Sequence, residues 1–184
     1  MNGGFFMATF TLHYPKAFKS FSDIPIINEN NETVCVLQKV ERSSTGKVLN
    51  AVLLVAAQQT LPYRYETRTT LGAPLFQVQS TLLTKGVSHQ LVMPDGSTIP
   101  IVRKTVQLLE SSYTFTMDNL AFRFEKDFTA TAYLYCNDEK IASASPIETE
   151  LIRAGLMFKL FQADDMHFVA LLATLYQALF AMSK

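Results

Sequence analysis

The sequence predicts a mainly β protein: a closed antiparallel β-barrel of about twelve strands enclosing a C-terminal hydrophobic α-helix. Two observations carry this. Short alternating or β-branched runs, punctuated by turn residues, fill the chain from Ala8 to Phe161. No formal charge then occurs between Asp165 and Lys184, across the run HFVALLATLYQALFAM. A helix that is apolar on nearly every side must be enclosed. No helical segment alternates regularly with the strands, which excludes a parallel α/β sheet.

The strands follow in order. ATFTLHY (Ala8 to Tyr14) alternates until Pro15 breaks it, and IPIINE and TVCVLQKVER (Thr33 to Arg42) flank an Asn28–Asn31 turn as a hairpin. SSTG reads as a turn. VLNAVLLVAAQQ (Val48 to Gln59) is long enough for a short helix, yet Val48, Val52 and Val55 favour a strand, and periodicity leaves both open. YRYETRTT alternates aromatic or threonine with charge, as a half-exposed strand does. LGAP is a turn before LFQVQSTLL.

VSHQLVM and TIPIVRKTV flank Pro94-Asp95-Gly96-Ser97, the clearest hairpin signal in the chain. SYTFTM and LAFRFEK flank Asp118-Asn119, and TATAYLYCN and KIASASPI flank Asn137-Asp138-Glu139. ETELIRAGLMFKLF is a last strand or pair, with Gly155 as a bulge. A barrel of this many strands is too wide for its own side chains to fill, so the apolar helix is a fitting plug.

That helix is expected at about 165–182, with Asp164 and Asp165 capping its N–H groups and Lys184 at the opposite pole. From Met166 to Met182 it would reach about 25 Å at ~1.5 Å per residue, short of a ~30 Å bilayer core. His167, Ala170, Thr174, Gln177 and Ala181 form one narrow small or polar stripe suited to close contact with another backbone, and Gln177 to buried strand-end polar groups. Enclosure by the chain's own barrel is the preferred reading over a membrane anchor or an oligomer interface.

At 184 residues the chain reads as one domain, residues 1–184, able to bury roughly 70% of its unfolded surface. Sixteen basic residues balance sixteen acidic ones, so net charge gives no sign of a nucleic-acid partner. Cys35 and Cys136 stand alone in apolar runs and read as buried free thiols, paired only if their strands are neighbours. No signal peptide is apparent in MNGGFFMATF, and a cytoplasmic location is expected.

The order of elements, from the early pair carrying IPIINENNETVCVLQK to the closing DDMHFVALLATLYQALFAMS, resembles the tubby C-terminal-like superfamily. That superfamily includes tubby-like proteins, LURP-one-related proteins and phospholipid scramblases. The likeness extends from about Ala8 to the end and is closest to small bacterial members made of the barrel alone. It implies a barrel around a hydrophobic helix and, from tubby-like domains, phosphoinositide binding through clustered basic residues. No basic motif of the family matches residue by residue, and neither the acylated cysteine stretch nor the calcium segment of scramblases is present.

His13, His89 and His167 lie in separate elements without ligand spacing, and GxSxG, GxGxxG and GxxxxGK[ST] are absent. No catalytic residue, metal site or cofactor is assigned, and the chain reads as non-enzymatic. The candidate ligand-binding residues are the basic pairs Arg64 and Arg68, Arg103 and Lys104, and Arg123 and Lys126. Arg64 and Arg68 share a strand face by parity, while Arg123 should point opposite to Phe122 and Phe124. Convergence of these groups would make a site for an anionic phospholipid headgroup or membrane surface, with the protein peripheral at the membrane. The alternative is a solvated exterior on a structural or protein-interaction module with no small ligand.

Overall fold

The computed structural model describes residues 7–14, 23–40, 63–83, 86–104, 111–149, 152–161 and 165–180. The expectations for Val48 to Gln59, for the SSTG turn and for Asp164 and Lys184 as helix-end charges lie outside these residues. Twelve strands follow in chain order: β1 (Ala8–His13), β2 (Ile24–Asn28), β3 (Thr33–Lys39), β4 (Arg64–Thr69), β5 (Pro74–Leu83), β6 (Gly86–Val92), β7 (Thr98–Lys104), β8 (Ser111–Met117), β9 (Leu120–Lys126), β10 (Ala132–Cys136), β11 (Glu139–Thr149) and β12 (Ile152–Leu160). Each pairs antiparallel with its sequence neighbours, and β1 pairs with β12 to close the barrel. The helix α1 (Met166–Leu179) fills it.

Since neighbouring strands alternate in direction, odd-numbered strands all run from one end of the barrel to the other. The connections 29–32, 70–73, 93–97, 118–119 and 137–138 therefore gather at one end, here the turn end. Their residues fit their geometry. Asp118 and Asn119 have φ of 53° and 62°, and Asn137 and Asp138 have 49° and 65°, as the two-residue type I′ hairpin requires. Gly96, at φ 84°, ends the three-residue Pro94-Asp95-Gly96 loop in the left-handed conformation that glycine adopts freely.

Four register shifts curve the sheet: β2 with β3, β4 with β5, β10 with β11, and β11 with β12. In the last, Ala154 is the extra residue beside Gly155, the predicted bulge. A Cβ on Gly155 would sit 2.1 Å from the carbonyl oxygen of Leu12 on β1, so glycine also permits this close approach. The β7–β8 ladder covers only Val102↔Thr114, Arg103↔Tyr113 and Lys104↔Ser112. Continued in register, it would set Pro100 opposite Thr116, and proline has no N–H to donate.

α1 starts at the turn end, where Asp165 accepts from the N–H of His167 at 2.8 Å as N-cap. Every residue from Val169 to Phe180 is buried. Two polar members of the stripe, Thr174 and Gln177, face β4. Thr174 Oγ1 lies 2.9 Å from Thr67 Oγ1 and donates to the Ala170 carbonyl at 2.7 Å. Gln177 Oε1 accepts from the Tyr14 hydroxyl at 3.0 Å, and its side chain also hydrogen-bonds Tyr65. Gln177 thus serves strand-end side chains at the far end of the lumen, as expected, while Thr174 meets Thr67 nearer its middle. Fourteen residues give a helix of about 21 Å. Among the described residues, no helix is long and apolar enough to cross a membrane.

Candidate functional site

Strand parity and pairing divide the six candidate basic residues. On β4 the lumen takes Tyr65 and Thr67, leaving Arg64, Glu66 and Arg68 outside. Arg64 is exposed and donates to Gln79 Oε1 at 3.3 Å. Arg68 Nε contacts Glu66 Oε1 at 2.5 Å, and Gln38, with its amide oriented to donate to Asp23, accepts from the same guanidinium. Glu66 is only 6% exposed although it faces outward, and its hydrogen bond raises the Arg68 pKa above the ordinary value. The expected half-exposed strand therefore carries three consecutive buried residues, Tyr65, Glu66 and Thr67.

Arg123 points away from the buried Phe122 and Phe124, as parity requires. It contacts Glu125 at 2.6 Å and Asp138 at 3.2 Å, and its guanidinium carbon lies 4.2 Å from the Tyr135 ring centroid. These carboxylates, Glu125 first, raise its pKa. Arg68 and Arg123 are thus both tied to acids on the outer wall.

Arg103 and Lys126 differ in position. Lys126 continues the inner face of Phe122 and Phe124, is 6% exposed, and holds Nζ 5.2 Å from the Phe180 ring at the C-terminal end of α1. Arg103 follows Ile99 and Ile101 on the inner parity of β7 and pairs in register with Tyr113 of β8. Lys104, next in sequence, faces outward and is exposed. Arg103 and Lys126 thus flank β8 from either side at the far end of the barrel, where α1 finishes.

A ring-lined layer closes the lumen at this end. Ring centroids step from Tyr65 to Tyr63 at 5.7 Å, to His89 at 6.1 Å, to Tyr113 at 5.8 Å, and to Phe180 at 5.7 Å. These spacings suit tilted and edge-on aromatic packing. The Tyr63 hydroxyl lies 3.0 Å from His89 Nε2. Burial, and secondarily the charge of Arg103, holds His89 below the usual histidine pKa, favouring the neutral ring. Burial raises the phenols of Tyr63, Tyr65 and Tyr113, keeping them protonated donors. Among the described residues, no three of His, Cys, Asp and Glu gather as metal ligands. Cys35 is buried with its thiol pushed up to about 12 by desolvation, and β3 and β10 are not neighbours, so Cys35 and Cys136 face no pairing partner in each other.

The described charges segregate along the barrel axis. Glu29, Glu32, Asp95, Asp118, Asp138, Glu139 and Asp165 lie at the turn end, with Arg68, Lys140 and Lys159 among them. Lys39, Arg64, Arg103, Lys104 and Lys126 lie at the far end with Asp23, Asp127 and Glu125, the last already paired with Arg123. Asp127 is engaged within its own turn by Thr129 and Thr131. The helix dipole has the complementary sense, its positive pole among the acids and its negative pole among the bases. Sequence reasoning singled out the basic pairs but not this polarity, which appears only once strand direction is assigned. The tyrosine layer had one legible signal: tyrosines at lumen parity near strand ends.

Compared with known families, residues 10–182 match the model of the Tubby C-terminal like domain. No curated protein and no solved structure matches the chain.

Proposed function

Starting from the fact that the chain belongs to the Tubby C-terminal like domain family, we propose that it is a non-enzymatic barrel module that binds an anionic lipid headgroup, a phosphoinositide or another anionic phospholipid. The observation that carries this reading is the charge segregation. A chain of zero net charge collects Lys39, Arg64, Arg103, Lys104 and Lys126 at one end of the barrel. Phosphate oxygens are recognised by guanidinium and ammonium donors, and a surface cluster adds attraction to an anionic leaflet. In this reading the protein works in the cytoplasm, peripheral to a membrane.

Co-sedimentation with phosphatidylcholine vesicles, with and without a phosphoinositide, tests it. The wild type should pellet only with the anionic vesicles, and less so as salt rises. Charge reversal at the far end, Arg103→Glu with Lys104→Glu, should abolish pelleting, while Lys140→Glu at the turn end should leave it unchanged. Equal pelleting of the wild type with neutral vesicles would sink the reading.

A protein-interaction role is the second reading. It is favoured by a cleft of about 420 Å³ on the outer wall, floored by Thr114, Thr116 and Ala121 between Pro100 and Val102 on one side and Arg123 and Asp138 on the other. A binding partner lost on Ala121→Trp, with no lipid association, would support it.

A further inference from the structure

We infer that the barrel docks end-on to an anionic bilayer, with Phe128 as the side chain that enters the lipid. This rests on the headgroup reading and adds the contacting end, its orientation and an apolar anchor.

Phe128 is 77% exposed in the turn joining β9 to β10, at the basic end and two residues after Lys126. The turn is held firmly. Asp127 Oδ1 accepts from Thr129 N–H at 2.9 Å, Thr129 Oγ1 at 2.7 Å and Thr131 N–H at 3.0 Å. The Asp127 N–H donates to the Thr131 carbonyl at 3.0 Å. Ala130 takes φ 64°, a left-handed conformation unfavourable for alanine, and its carbonyl accepts from the Tyr176 hydroxyl of α1 at 3.0 Å. Strain of this kind persists only where the surroundings impose it. Here the lumen helix fixes the turn, and the fixed turn presents a phenyl ring to solvent.

A lone exposed apolar residue is ordinary on a protein surface. Its location is what distinguishes this one. Membrane attachment needs two signals, since one apolar group gives weak and reversible binding, and an aromatic beside basic residues supplies both. Aromatic rings favour the headgroup depth at which those cations meet lipid phosphates. Leu71 provides the contrast. It is 95% exposed in the β4–β5 turn, but at the opposite end, among carboxylates that an anionic surface repels.

The chain has no tryptophan, so Phe128→Trp and Leu71→Trp each create a single fluorescent reporter at one end. Each is mixed with phosphatidylcholine vesicles containing a phosphoinositide, with and without bromine on the acyl chains. The expected result is a blue shift and bromine quenching at position 128 and neither at position 71. Phe128→Asp should weaken vesicle association roughly tenfold while leaving binding of a soluble inositol phosphate, measured by calorimetry, unchanged. A shift at position 71, or association with position 128 silent, overturns the end-on insertion even if the inositol phosphate binds. Absence of both vesicle and inositol phosphate binding overturns the insertion together with the headgroup reading.

Discussion

Thr67 on β4 and Thr174 on α1 place their hydroxyl oxygens 2.9 Å apart in the lumen, both fully buried, across 107 residues of sequence. The donors are ordered. Thr174 gives its proton to the Ala170 carbonyl at 2.7 Å, leaving its oxygen to accept from Thr67. Thr67 otherwise reaches only the carbonyls of Phe76 and Ala170, each at 3.4 Å.

This order predicts an asymmetry. Thr174→Val leaves the Thr67 hydroxyl only its long contacts to the Phe76 and Ala170 carbonyls and should cost about 1–3 kcal/mol, whereas Thr67→Val leaves Thr174 satisfied and should cost about 1 kcal/mol or less. Denaturant titrations of both variants and the double variant would check it. Equal costs would refute the assigned donor direction.

The filling of the lumen sets a second expectation. Leu172 and Leu175 are fully buried on α1, and truncating either to alanine should destabilise by about 2–5 kcal/mol. Removing Phe168 to Lys184 altogether should prevent folding, seen as loss of near-ultraviolet dichroism and of a cooperative thermal transition.

Two glycines should respond differently to the same change. Gly155→Ala drives a methyl group into the Leu12 carbonyl and should cost more than about 3 kcal/mol, because β1 can yield only by leaving β12. Gly96→Ala meets open space and should cost about 1 kcal/mol, from its positive φ alone. Thermal melts of the pair would separate crowding from backbone strain.

Acid should act through His89. Its pKa is lowered in the folded protein, so as pH falls the unfolded chain binds the proton first. Stability is then complete above the ordinary histidine value of 6.5 and declines as pH falls from there toward the folded-state value. Urea midpoints at neutral pH and at about pH 5 should show this loss in the wild type and less of it in His89→Gln.

Thiol chemistry should distinguish the two cysteines. Cys35 lies wholly inside the barrel with its thiol raised to about 12, and Cys136 is half-buried near the turn end. Iodoacetamide at mildly alkaline pH should label Cys136 in the native protein and Cys35 only after denaturation. Mass spectrometry of the native digest reads the outcome.

Much of this architecture was legible because local chemistry and long-range geometry agree. Asp118-Asn119, Asn137-Asp138 and Asp95-Gly96 state their turns, and the polar stripe of the last helix states a closely packed neighbour. The stripe could not name that neighbour, since Thr67 and Tyr14 are ordinary strand residues until the barrel closes around Thr174 and Gln177. The site was less legible. Alternation places Arg103 and Lys104 on opposite faces, but outward burial of Glu66 and Glu125 beside Arg68 and Arg123 follows from cross-strand packing. Which cations share an end depends on the direction of every strand between them.

The position of α1 after all twelve strands has a consequence for how the protein is made. A ribosome releases the β-strands first, and none of their lumen-facing side chains can reach a finished core until residues 166–180 emerge. The first strand waits as long for its second neighbour, because β1 closes on β12. Translation therefore exposes an apolar, unsealed sheet for most of its duration, a species prone to edge-to-edge association. The nascent chain should depend on holding chaperones until its final segment arrives, and premature termination there should yield aggregates rather than a smaller folded product.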